Sequence, residues 1–82
     1  MKFYSITQAD AVIEAFKALG GDRTISEIEN WVTRKHGVRW KDYGTCMADM
    51  VPEELDGNRT SNIPIEKRVL RKLDRGVYTL ME

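Results

Sequence analysis

A single cysteine, Cys46, leaves no partner for an internal disulfide, and a single histidine, His36, leaves no cluster of His and Cys at the spacing zinc requires. No metal and no other cofactor is therefore expected. Positive charge is not in excess either. The 13 Lys and Arg balance 13 Asp and Glu, which argues against the indiscriminate polyanion binding of a strongly basic chain. Long apolar runs are missing as well: the stretch from Met1 to Gly20 carries Asp10 and Glu14 among its apolar residues. Neither a signal peptide nor a membrane span is expected, and the protein is read as cytoplasmic. No internal repeat and no low-complexity segment breaks the chain, so residues 1–82 are read as one domain.

What is present is the composition of an ordinary globule, 41% apolar and 32% charged, which excludes a disordered or fibrous chain. Charge is uneven along it. Residues 34–51 hold Arg34, Lys35, Arg39 and Lys41 against Asp42 and Asp49, and residues 67–82 hold Lys67, Arg68, Arg71, Lys72 and Arg75 against Asp74 and Glu82. The intervening 52–66 is acidic. Positive charge thus gathers on two separate segments.

Thr7 is the expected N-cap of a first helix, with Asp10 at its third position and Ala9, Val12, Ile13, Phe16 and Leu19 at helical spacing. Gly20 and Gly21 stop it. Arg23, Thr24 and Ile25 then read as a brief strand. Ser26 is expected to begin a second helix with Glu27 and Glu29 in its first turn, Ile28, Trp31 and Val32 as its buried stripe, and Arg34, Lys35 and His36 in its last turn before Gly37. Val38 is read as a buried connector. Arg39 to Val51 is the third helical candidate, ended by Pro52, with Tyr43, Cys46, Met47 and Met50 facing inward and Lys41, Thr45, Ala48 and Asp49 outward. Gly44 within it either admits a close neighbour or marks an irregular turn. Residues 53–64 form a polar loop, with one helical turn at Glu53, Glu54 and Leu55. Its Asn58, Arg59 and Thr60 match a glycosylation acceptor pattern, which is read as accidental.

The chain closes on two runs rich in β-branched, aromatic and aliphatic residues, around Val69 to Leu73 and Val77 to Leu80, separated by Asp74, Arg75 and Gly76. This is a basic β-hairpin, Gly76 supplying the positive φ of the turn. A three-residue tip pairs Leu73 with Val77, Lys72 with Tyr78 and Leu70 with Leu80, and places Leu70, Tyr78 and Leu80 on the core face. Three helices followed by such a hairpin give an α+β domain with the order of a winged helix-turn-helix. Its single core is expected to unite Val12, Phe16, Ile28, Trp31, Leu70, Tyr78 and Leu80.

With that order in hand, Ala11 to Gly20 (AVIEAFKALG), then Thr24, Ile25, Ser26, Glu27 and Ile28, and finally Arg75, Gly76, Val77, Tyr78, Thr79 and Leu80 resemble the winged helix-turn-helix domains associated with restriction endonucleases and the HARE-type winged helices. The resemblance implies a DNA-binding module of a transcriptional or defence system. It departs from the family in its long 52–66 loop and in Asp42 and Asp49 on the third helix. No nuclease motif accompanies it, so no enzymatic activity is expected.

The residues expected to meet double-stranded DNA are Arg39, Lys41 and Thr45 on the third helix, whose side chains can donate to base edges, and Arg71, Lys72 and Arg75 on the wing, suited to phosphates or the minor groove. The alternative to a DNA reader is an interaction module or homodimer anchored by Trp40. Cys46 is not expected to be a reactive thiol, because Asp42 one turn away would raise its pKa.

Overall fold

A computed structural model describes residues 6–55, 57 and 63–81. Its elements are α1 (Gln8–Leu19), β1 (Arg23–Thr24), α2 (Ile25–His36), α3 (Tyr43–Asp49), β2 (Leu70–Asp74) and β3 (Val77–Leu80), with 3-10 turns at Glu53–Leu55 and Ile65–Lys67. The result is an α+β domain of three helices and one three-stranded antiparallel sheet in the order β1-β3-β2, compatible with a winged-helix layout. The acceptor-like Asn58, Arg59 and Thr60 lie outside the described residues.

Both long helices start on capping boxes. Thr7 accepts from the Asp10 N–H while the Asp10 carboxylate accepts from the Thr7 N–H, and Thr24 and Glu27 repeat the arrangement at α2. The second helix therefore begins at Ile25, with Thr24 as its cap, one residue ahead of the expected Ser26. Glycine ends each helix: the N–H of Gly20 bonds the Phe16 carbonyl, and that of Gly37 bonds the Thr33 carbonyl. Phe16, Val12, Ile28, Val32, Met47, Met50 and Leu70 are all but inaccessible and form the centre of the core.

Four expectations fail locally. Val38 is 86% exposed, because Gly37 turns the chain away from the helices before it rather than into them. The third helix is only seven residues long: Asp42 sits at φ 55°, in the left-handed region, and this interrupts any helical path from Arg39. Trp31 is half-buried at the rim of the core, not inside it, with the Lys35 ammonium 5.2 Å from its ring centre. In the hairpin, Leu70 pairs with Leu80 and Lys72 with Tyr78 as expected, but Asp74 rather than Leu73 faces Val77. The extra residue is Leu73, a bulge in β2, and the connection shortens to Arg75 and Gly76.

Two short contacts lock the wing to the helices. The Ile25 N–H donates to the Gly76 carbonyl at 3.1 Å, and the Leu70 N–H donates to the Met50 carbonyl at 3.1 Å. Ile25 also packs between Gly44 and Gly76: a Cβ at Gly44 would lie 3.4 Å from its Cδ1, and one at Gly76 would lie 3.9 Å from it. Gly44 thus admits a close neighbour, the first of its two expected roles.

One buried group lacks a match. The Tyr43 hydroxyl is enclosed with no hydrogen bond of good geometry among the described residues; burial pushes its pKa up, and the Thr33 side chain opposes that rise. Tyr43→Phe should leave the thermal midpoint unchanged or raise it, since it removes an unsatisfied donor and keeps the ring. A loss of about 1 kcal/mol or more in a melt would reveal a partner for the hydroxyl.

Three carboxylates tie elements together. Asp10 is held below the usual range chiefly by the Lys67 ammonium, Glu14 by the His36 ring at 2.8 Å and the Lys35 ammonium at 3.0 Å, and Glu27 by the Thr24 N–H and then the Arg23 guanidinium. Each folded pKa lies below its unfolded value, so these contributions are complete above the ordinary carboxylate range and are lost as pH falls through the depressed folded values. Melting temperature should hold from neutrality to about pH 5 and decline below it. Asp10→Asn with Glu14→Gln should flatten that decline, and an unchanged acid limb in the double variant would remove these pairs as its cause.

Candidate nucleic-acid interface

The hairpin projects from the helices because its burial fades along β2. Leu70 is fully buried and Tyr78 nearly so, whereas residues 71–75 are all exposed. The cross-strand pair Lys72–Tyr78 marks the change: the tyrosine still packs on the core while the lysine opposite it has cleared the helices. At the turn, the Asp74 carboxylate accepts the Arg75 N–H at 2.7 Å, and Gly76 takes φ 72°. Arg71, Lys72 and Arg75 make no ion pair with any described residue. Other cations are engaged: Arg23 pairs with Glu27, Lys35 with Glu14 and Lys67 with Asp10, while the Arg68 Nε donates to the Ile63 carbonyl at 3.2 Å.

Arg39 and Lys41 are not on the third helix, contrary to expectation; they belong to the extended approach between Gly37 and Asp42. The approach is pinned from both ends. Gln8 Nε2 donates to the Lys41 carbonyl at 2.8 Å, while the Arg39 guanidinium stacks 4.8 Å from the Trp40 ring centre and the His36 ring meets that ring edge-on at 6.1 Å. Trp40 is accordingly half-buried against the core rather than a free anchor. On α3, Thr45 and Ala48 are exposed, as expected, but the helix contains no cation and ends on Asp49.

The six expected DNA-facing residues do not fall on one patch. Lys41 and Thr45 line a groove of about 470 Å³ with Gln8, Asp49 and Lys67 on the α1 side of α3. Lys72 and Arg75 line a second groove of about 490 Å³ on the wing side, with Ala48 of α3 between them and the body. Arg71 and Arg39 border neither. Sequence reasoning missed the apolar lining of the second groove, Leu55 and Leu73; a leucine following Lys72 at the tip of a basic hairpin was its available signal.

Cys46 is buried, and burial, with Asp49 rather than Asp42 as the second cause, pushes its thiol up to about 11, so the thiolate is scarce near neutrality. Among the described residues, no group of three or more His, Cys, Asp or Glu is placed to hold a metal ion, and no helix is long and apolar enough to cross a membrane. No protein-family model gives a significant match to the chain, and neither does any curated protein or solved structure.

Proposed function

We propose that the chain is a winged helix that binds double-stranded DNA, as a transcriptional regulator or as the recognition module of a defence system, with the wing as its principal contact. The observation that carries this reading is the cluster of Arg71, Lys72 and Arg75: three exposed cations within five residues of the hairpin, none paired with a described acid and outnumbering the one acid among them, Asp74. Lone cations on a rigid β-ribbon fit phosphates spaced along a duplex. The exposed face of α3 then offers Thr45 to a base edge and Ala48 to a thymine methyl, while Arg39 and Lys41 supply phosphate contacts from the approach.

Affinity in this reading comes from backbone charge more than from base reading, because α3 is short and bounded by Asp42 and Asp49. Binding should therefore be tolerant of sequence and steeply dependent on salt. Titration of a labelled duplex with the native protein at about 50 and 200 mM salt tests it, with log affinity expected to fall linearly in log salt. Absence of binding at micromolar protein in the lower salt would overturn the proposal.

A further inference from the structure

We infer that the groove between α3, the Glu53–Leu55 turn and the wing is a docking site for an acidic segment of a partner protein, one that places a large apolar side chain next to carboxylates. The groove has about 490 Å³, within the usual range of ligand pockets. Val51 and Tyr78, each 3% exposed, lie at its base, and Ala48 brings in the outer face of α3. Its walls are two leucines that the fold leaves open to water, Leu55 at 40% and Leu73 at 46% exposure. Large exposed apolar residues are normally scattered, so two converging on one concavity mark a place where an apolar partner atom gains by leaving water.

The bulge explains how Leu73 comes to be there. In a regular ladder it would point to the face of β2 opposite Lys72, away from α3. The extra residue between Lys72 and Asp74 breaks that alternation, and Leu73 lines the same groove as Lys72. The bulged leucine is thus held in a position that neither the sheet nor the core needs.

Charge selects the partner. On the wing side, Lys72 and Arg75 line the groove together with one acid, Asp74, whose carboxylate accepts the Arg75 N–H, so this side keeps one net positive charge. On the opposite side, Glu54 is exposed next to Leu55. A peptide with its apolar residue in the groove is therefore oriented with its carboxylates toward the wing. A duplex would also meet the two cations, but its bases are stacked and only their edges reach a groove, so it sets less apolar surface against Val51, Leu55, Leu73 and Tyr78 than an aliphatic or aromatic side chain does. The apolar lining favours a protein segment. Because Lys72 and Arg75 also serve the proposed DNA contact, the segment and a duplex should exclude one another; only this competition rests on the DNA reading.

The test is selection of displayed random short peptides on the full chain, followed by fluorescence titration of a synthetic copy of the enriched sequence. Enriched peptides should pair Leu, Ile, Met, Phe or Trp with Asp or Glu. Binding should weaken by about tenfold or more for Leu73→Ser, for Leu55→Ser and for Lys72→Glu with Arg75→Glu. These positions are exposed, and circular-dichroism melts should show the variants folded. No enrichment, enriched sequences without the acid and apolar pairing, or affinity untouched by the substitutions would overturn the inference. So would self-association of the chain that Leu73→Ser abolishes without any peptide capture. If Leu73→Ser weakens duplex binding as much as peptide binding, the groove belongs to the DNA interface and the inference falls. If no duplex binds at all, the DNA reading falls while the peptide titration stands on its own.

Discussion

Phe16→Ala is expected to cost about 3–5 kcal/mol, most of what a domain of this size can hold in reserve. The Phe16 ring is 2% exposed and sits on α1 among Val12, Ile28, Val32 and Leu70, so truncation leaves a void that three elements line and none can fill alone. Trp31→Ala should cost distinctly less, about 1–2 kcal/mol, because its ring lies at the rim and part of its contact is the Lys35 ammonium above it. Denaturant unfolding of the two variants side by side decides the matter. If the tryptophan variant proves the weaker of the two, Trp31 is a core residue after all.

Replacing Arg71, Lys72 and Arg75 together by alanine should remove about 2.7 from the slope of log affinity against log salt, three phosphates at about 0.9 each. Over a fourfold change in salt, that amounts to about fortyfold of the salt-induced weakening. The substitutions are safe for folding: all three side chains are exposed and none bonds another described residue. Replacing Arg39 and Lys41 should do less, since Arg39 is already stacked on Trp40. An unchanged slope in the triple variant would remove the wing from the interface and leave the approach to α3 as the remaining candidate.

The parts of the fold legible in the sequence are those set by local chemistry. Thr7 with Asp10 three residues on, the glycine stops at Gly20 and Gly37, and alternation through Leu70, Tyr78 and Leu80 each act within a few residues and each led to the right element, whereas the matching cap at Thr24 reads as strand from the sequence. What could not be read depends on longer range. Arg39 to Val51 has a helical pattern, yet the first part is not helical: Asp42 takes φ 55°, and the Lys41 carbonyl accepts from the Gln8 side chain, 33 residues away in sequence. Trp31 fits the helical stripe, but it lies at the edge of that stripe, half-buried, with the Lys35 ammonium over its ring. The site suffered most. The five cations named from the sequence are exposed, but the placement of Lys41 on one side of α3 and of Lys72 and Arg75 on the other follows from tertiary structure, and the Leu73 bulge shifts one side chain between faces without leaving a periodic trace.

Ile25 gives the molecule an internal adjustment of its reach. One half-buried side chain touches both the glycine of α3 and the glycine of the wing turn, so the span between the two outward surfaces is set by the size of a residue that neither surface contains. A shorter or longer side chain at 25 would reset that span while leaving every exposed residue in place. Variation at this inner position can therefore retune what the outer face fits, a lineage changing its grip on a partner without altering a single group that touches it.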